Sequence, residues 1–136
     1  MQISELKLTE IGEATALWRS VELTRPWNDP EADARKTLEN QSSTILAGRH
    51  EQRLVATAMV GFDGHRGWLY YVAVQPGMQG QGFGQEIMGA ASRWLAEQGA
   101  PKVQLMVRTE NTDVIGFYER LGYEAQEVVV LGKRLG

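Results

Sequence analysis

The stretch Val72-Ala73-Val74-Gln75-Pro76-Gly77-Met78-Gln79-Gly80-Gln81-Gly82-Phe83-Gly84-Gln85 concentrates more chemistry than any other part of the chain. An apolar run enters four glycines within eight residues, and helical spacing begins directly afterwards. Glycine lets the backbone approach a ligand closely, and the first amides of a helix have no intrahelical acceptor. Together with the helix dipole, such a turn makes a site for a phosphate or pyrophosphate. A plain strand-to-helix turn would need only one glycine or two. The dinucleotide fingerprint does not fit, because the spacing is Gly80-x-Gly82-x-Gly84 and no acid follows at the right distance on a strand end. The Gly-Lys-Ser/Thr of a P-loop is absent.

Proton-moving groups lie elsewhere. Tyr118 offers a phenol, although its spacing with Val114, Ile115 and Leu121 equally suits a core aromatic on a short helix. Asp63, His65, Glu110 and Asp29 are candidate bases. Each has a plainer reading: turn former, loop residue, exposed loop acid and helix cap respectively. Trp27 stands between two prolines, outside any periodic stripe. It either folds back over the core or lines a binding pocket.

The elements that must position these groups follow from periodicity. Ile3, Leu6 and Leu8 suggest an opening strand over 2–8, and Thr9 stands where a helix N-cap would be. Ile11, Ala14, Leu17, Trp18 and Val21 predict an amphipathic helix over 10–22. Arg25-Pro26-Trp27-Asn28-Asp29-Pro30 must be a loop, with Asp29 and Pro30 opening a second helix that runs to about Asn40. Residues 44–62 read as a hairpin turning at Glu51-Gln52, and 63–67 as another tight turn. Trp68–Val74, apolar on both faces, is expected to be a central strand. A helix over 85–98 stops at Gly99, a strand carries Val103, Leu105 and Val107, and a short helix closes at Gly122. The tail, Tyr123 to Leu135, is expected to form two short strands, the second around Val128-Val129-Val130-Leu131. The strands flanking the 85–98 helix make a parallel βαβ unit within an otherwise antiparallel, mixed sheet.

Composition bounds the rest. The length of 136 residues suits one domain spanning 1–136. A net charge of −3 argues against broad phosphate neutralisation on nucleic acid. Zero cysteines exclude disulfides and a cysteine nucleophile, and two histidines, His50 and His65, speak against a multi-histidine metal site. The longest apolar run is seven residues, against about 20 for a membrane span. The first twenty residues carry Glu5, Glu10 and Glu13, so no signal peptide is read there. A cytoplasmic location is the expectation.

At this point the sequence resembles a known family. Gln79-Gly80-Gln81-Gly82-Phe83-Gly84 is similar to the Q/R-x-x-G-x-G/A acyl-CoA signature of the GNAT superfamily of N-acetyltransferases. Asn111-Thr112-Asp113-Val114-Ile115-Gly116-Phe117-Tyr118-Glu119-Arg120-Leu121-Gly122-Tyr123 resembles the family's second element, downstream and in the right order. Arg25–Pro30 and Gly61–Gly67 further resemble a small bacterial subgroup of the YpeA type. The resemblance implies an α/β (α+β) fold with a mixed, mostly antiparallel central sheet, a parallel βαβ core and helices on both faces.

It also implies roles. Backbone amides of Gln79, Gly80, Gln81, Gly82, Phe83, Gly84 and Gln85 would hold the CoA pyrophosphate. Val72, Ala73 and Val74 would pair with the pantetheine arm, Asn111 would bond the same arm, and Tyr118 would protonate the leaving thiolate. The family often has arginine in the turn, yet no basic residue lies between Val74 and Arg93. Arg120 is a candidate for the 3′-phosphate, or else a solvated helix charge. Acetyl-CoA would be the co-substrate, with no metal, and the acceptor a small-molecule or peptide amine touched by Trp27, Asp29, Asp63 or His65. No membrane or nucleic-acid partner is expected, and a homodimer is compatible with this reading. The alternatives are a non-catalytic acyl-CoA-binding or regulatory module on the same fold, and a nucleotide-binding module.

Overall fold

In the computed structural model, which describes residues 1–136, ten elements follow in order. They are β1 (Gln2–Glu5), a 3-10 turn (Leu8–Glu10), α1 (Ile11–Ser20), α2 (Pro30–Glu39), β2 (Ser43–His50), β3 (Arg53–Phe62), β4 (Gly67–Val74), α3 (Phe83–Glu97), β5 (Val103–Leu105) and α4 (Thr112–Arg120). Residues 1–106 form one compact unit and residues 107–136 a second.

The first unit is built on a five-stranded sheet in the order β1-β2-β3-β4-β5. The first three pairings are antiparallel, and β4 pairs with β5 in parallel across the α3 crossover. Glu51 and Gln52 both have left-handed φ (52° and 68°), the geometry of a two-residue turn whose twist matches that of a hairpin. The sheet is covered on both faces. Ile45, Ala47, Met59 and Ala73 share a buried cluster with Ile11, Ala14, Leu17 and Trp18 of α1 and Ala34 of α2. The paired positions Leu46 and Ala58, and Val60 and Leu69, are buried on the other side, where α3 packs through residues such as Ile87 and Leu95. Burying one side chain of this size contributes about 1.5–3 kcal/mol.

Local chemistry accounts for most boundaries. Asp29 Oδ1 accepts the Ala32 N–H at 3.1 Å, and Pro30 occupies the first helical position, as expected. Thr9, by contrast, is not a cap. It lies inside the 3-10 turn, where Glu10 Oε1 accepts the Lys7 N–H at 2.9 Å, so α1 begins only at Ile11. The central, most buried strand is β3 rather than β4. β4 carries a bulge opposite Thr57–Met59, and Tyr70 faces outward, which breaks the two-faced burial its composition suggested. β5 is only three residues long, and Val107 falls outside it.

In the second unit, α4 closes at Gly122 (φ +96°), with the Tyr123 N–H on the Tyr118 carbonyl at 3.0 Å. The two strands expected in the tail do not form. Val128, Val129, Val130 and Leu131 are exposed. A β-branched run favours extended backbone, but a strand exists only where a neighbour takes its hydrogen bonds. No helix is long and apolar enough to cross a membrane.

Candidate active site

β4 ends at Val74, and the Gln75 N–H still reaches the Val55 carbonyl (2.8 Å) before the chain turns. Gly77, Gly80 and Gly82 then adopt φ of +84°, +84° and +83°, while Gly84 is already inside α3. A Cβ at any of these three would meet nothing within 4 Å. Glycine is therefore required for backbone conformation, not for lack of room; a left-handed L-residue costs roughly 1–2 kcal/mol. Gly82 caps α3 without a side-chain acceptor, so the Phe83, Gly84 and Gln85 amides are the orphan donors of the first turn. The left-handed turn and the bare helix N-terminus leave these amides available to an anionic ligand. Gln79 Nε2 points back to the Val74 carbonyl (3.4 Å) and Gln81 Nε2 to Met78 Sδ (3.8 Å). The Phe83 side chain is buried, with its ring 5.4 Å from that of His50, leaving only its amide for a ligand.

Just before this turn, the β4 bulge centres on Tyr71, a non-glycine residue with φ +49°. Such backbone costs of order 1–3 kcal/mol and persists only where the surroundings over-determine it. Here they do. The Tyr71 ring stacks on Trp18 with centroids 4.0 Å apart, its hydroxyl donates to Asp33 Oδ2 at 2.8 Å, and its carbonyl accepts from Thr57 Oγ1 at 2.9 Å. Burial, then the Asp33 carboxylate and the charge of Asp29, push the Tyr71 phenol well above its ordinary range. Asp29, a candidate base, caps α2, and its charge is felt at this phenol. β4 pairs with β5 only through Gly67–Leu69, so Val72, Ala73 and Val74 lie beyond the end of that ladder.

Asp63 and His65 sit together at the other end of β4, roughly 25 Å along the strand from the glycine turn. Asp63 Oδ1 accepts the Arg66 and His65 amides (2.7 and 2.8 Å), and Oδ2 accepts from Trp68 Nε1 at 3.2 Å. These bonds, the Arg66 amide foremost, hold its carboxyl below the usual range. Asp63, Phe62, Trp68, Tyr70, Asn40 and Ser43 help line a groove of about 230 Å³. Tyr70, on the lining of that groove, lies on the near side of the β4 bulge, two residues before Val72. Burial, then the Asp63 charge, raises the Tyr70 phenol. In the loop before α2, Arg25 Nη1 donates to the Glu22 and Thr24 carbonyls (2.8 and 3.0 Å). Trp27 is 58% exposed there and so is not a lid folded into the core.

In the second unit, Asn111 is the N-cap residue of α4 and exposed, with no side-chain cap bond. Tyr118 is the buried residue of α4, meeting the rings of Phe117 and Tyr123 edge-on at 5.1 and 5.7 Å. Burial, then Tyr123, pushes its phenol up to about 12, so it remains a proton donor at neutral pH. Arg120 is exposed and lies along its own helix, 3.4 Å from where a Cβ on Gly116 would be. Glu110 is exposed, and its Oε2 accepts from Thr109 Oγ1 at 3.3 Å. No group of three or more acidic, histidine or cysteine residues is placed to hold a metal ion.

Sequence reasoning missed the cluster around Tyr71. Its one legible trace was Thr57, a lone hydroxyl between Ala56 and Ala58 in an apolar strand. Nothing in the residue types announces that Tyr71 would bulge.

A mixed sheet whose fourth strand runs into a left-handed glycine turn and helix, with helices on both faces, defines an α/β fold with a backbone anion site at the end of that strand. The sequence profile of the acetyltransferase (GNAT) family matches residues 13–123, and the chain belongs to that family. An acetyltransferase of Yersinia enterocolitica is 39% identical over 135 residues, covering 99% of this chain and 96% of that protein. Among solved structures, AAC(6′)-Iy in complex with a bisubstrate analogue, CoA-S-monomethyl-acetylneamine, superposes with a TM-score of 0.83. It has 18% identity, with 99% of this chain and 98% of that one covered. The apo aminoglycoside 6′-N-acetyltransferase AAC(6′)-IG from Acinetobacter haemolyticus gives 0.80 at 17% identity, with both chains wholly covered. At these identities the two structures speak for the fold.

Proposed function

We propose that this chain is a cytoplasmic acyltransferase that moves an acetyl group from acetyl-CoA directly to a primary amine of a cationic small molecule or peptide. The observation that carries the reading is the left-handed triplet Gly77, Gly80 and Gly82 at the bare N-terminus of α3, next to a β4 stretch beyond the β5 ladder. Amides of residues 79–85 bind the pyrophosphate, and Val72, Ala73 and Val74 offer strand-like bonds to the pantetheine arm. Asn111 and Arg120 bind the arm and the 3′-phosphate.

The Val72 amide polarises the thioester carbonyl as charge develops on it. Tyr118, whose phenol is protonated at neutral pH, gives its proton to the departing thiolate. The acceptor lies in the groove of Trp68, Tyr70 and Asp63, with Trp27 and Asp29 flanking its approach. Asp63 acts there as a counter-charge rather than a base, because three of its four acceptor positions are already engaged and its basicity is lowered. An acceptor with an α-amino-type pKa near 8 needs only about 1 kcal/mol for deprotonation, against about 4–5 kcal/mol for a lysine-type amine. Transfer without an assigned base favours the first kind.

Thermal unfolding with ligands tests the cofactor. Acetyl-CoA should raise the melting temperature by mass action, and ATP and NAD much less. Equal shifts from all three would contradict the assignment.

A further inference from the structure

We infer that Thr57, Trp18 and Asp33 are positioning residues for acyl transfer: they lock the Tyr71 bulge so that the Val72 N–H is aimed at the thioester carbonyl oxygen. The inference rests on the acetyl-CoA reading and adds to it the parts of the core that aim the donor.

The peptide plane between Tyr71 and Val72 carries both the bond that fixes it and the donor that would work. In a trans peptide the carbonyl of one residue and the N–H of the next point in opposite directions. Thr57 Oγ1 donates to the Tyr71 carbonyl at 2.9 Å, so that one bond sets the direction of the Val72 N–H, away from Thr57. Thr57 is itself held. It is wholly buried, and its oxygen accepts from Trp18 Nε1 at 2.9 Å while its hydrogen goes to Tyr71. The hydroxyl is used in both directions, so its rotation is fixed.

The side chain of Tyr71 is clamped independently. Its ring lies nearly parallel to Trp18, with 19° between planes, and its hydroxyl reaches across to Asp33 on α2. Left alone, a tyrosine at φ +49° would relax toward the ordinary extended region and rotate the same peptide plane. Two elements on one face, α1 through Trp18 and α2 through Asp33, therefore hold a strained residue on β4. A valine at position 57 would fill nearly the same space in this apolar strand; only the two hydrogen bonds require threonine. The strain lies where the β5 ladder has ended, the place along β4 where an added ligand has open backbone to meet.

The test reads the carbonyl itself. Acetyl-CoA labelled with ¹³C at the thioester carbonyl is bound to wild type, Thr57→Val, Thr57→Ser and Tyr71→Phe, and its infrared stretch is compared with the free ligand. Wild type and Thr57→Ser should shift the band to lower wavenumber. Thr57→Val should return it close to the free value, with affinity for CoA changed less than about 3-fold. The saturating rate should fall about 10-fold or more in Thr57→Val, with little change in KM for acetyl-CoA, and recover in Thr57→Ser. Tyr71→Phe keeps the stack and loses only the Asp33 tether, so its band should move part of the way. An unmoved band in whichever of Thr57→Val and Tyr71→Phe folds overturns the inference. So does a wild-type band at the free position with acetyl-CoA bound, which would leave the acetyl-CoA reading standing. Failure of wild type to bind acetyl-CoA would overturn both.

Discussion

The ring of Tyr118 meets that of Tyr123 edge-on at 5.7 Å, one turn past the end of α4, and burial there carries its phenol up to about 12. The sign of the consequence is fixed. The folded pKa lies above the unfolded value of about 10, so this tyrosine's contribution is complete below pH 10 and is lost as pH rises from 10 toward 12. Unfolding free energy should therefore fall over that window by of order 2 kcal/mol on this account. Denaturant titrations at stepped pH should show the fall in wild type and a smaller one in Tyr118→Phe.

The same substitution separates chemistry from packing. Tyr118→Phe keeps the edge-on ring contacts and removes the proton donor. The saturating rate should drop about 10²-fold or more while CoA affinity barely changes. A folded variant with an undiminished chemical step would take Tyr118 out of the mechanism.

Gly82 combines φ +83° with open space around it. Gly82→Ala should cost roughly 1–2 kcal/mol of stability through backbone strain alone. If the turn holds pyrophosphate, the melting-temperature rise given by CoA should shrink markedly as well. A variant that is destabilised yet binds CoA with wild-type affinity would make the turn structural only.

Asp29 and Asp63 were both readable as bases, and their surroundings now divide the work. Asp29→Ala removes the bond to the Ala32 amide and should cost about 1 kcal/mol of stability, with the saturating rate per folded molecule unchanged and any further effect confined to KM for the acceptor. Asp63→Ala should instead raise KM for a cationic acceptor, and raise it more at low salt than at high salt, because it removes a counter-charge. A loss of kcat with unchanged KM would restore Asp63 as a base.

How much of this was legible depends on whether a feature is local. The glycine turn, the Asp29 cap, the Glu51-Gln52 hairpin and the Gly122 stop each rest on residues adjacent in sequence, and each is where residue type put it. The tail around Val128–Leu131 has the composition of a strand without a partner, and pairing is a property of two segments. The Tyr71 bulge escaped for the same reason. It is set by Trp18, Asp33 and Thr57, which are 53, 38 and 14 residues away. Asp63 and His65 were rightly grouped with each other, but their place at the far end of β4 from the glycine turn required the strand's direction.

Acetyl transfer itself is read by following free thiol and acetylated product together, using acetyl-CoA and a panel of amines that includes α-amino and lysine-type acceptors. At least one cationic primary amine, of low pKa before high, should give one thiol per acetylated amine, without acetylated protein accumulating. Saturable binding of acetyl-CoA with thiol release no faster than in buffer, for every amine tested, would contradict it and leave a binding module in place of an enzyme.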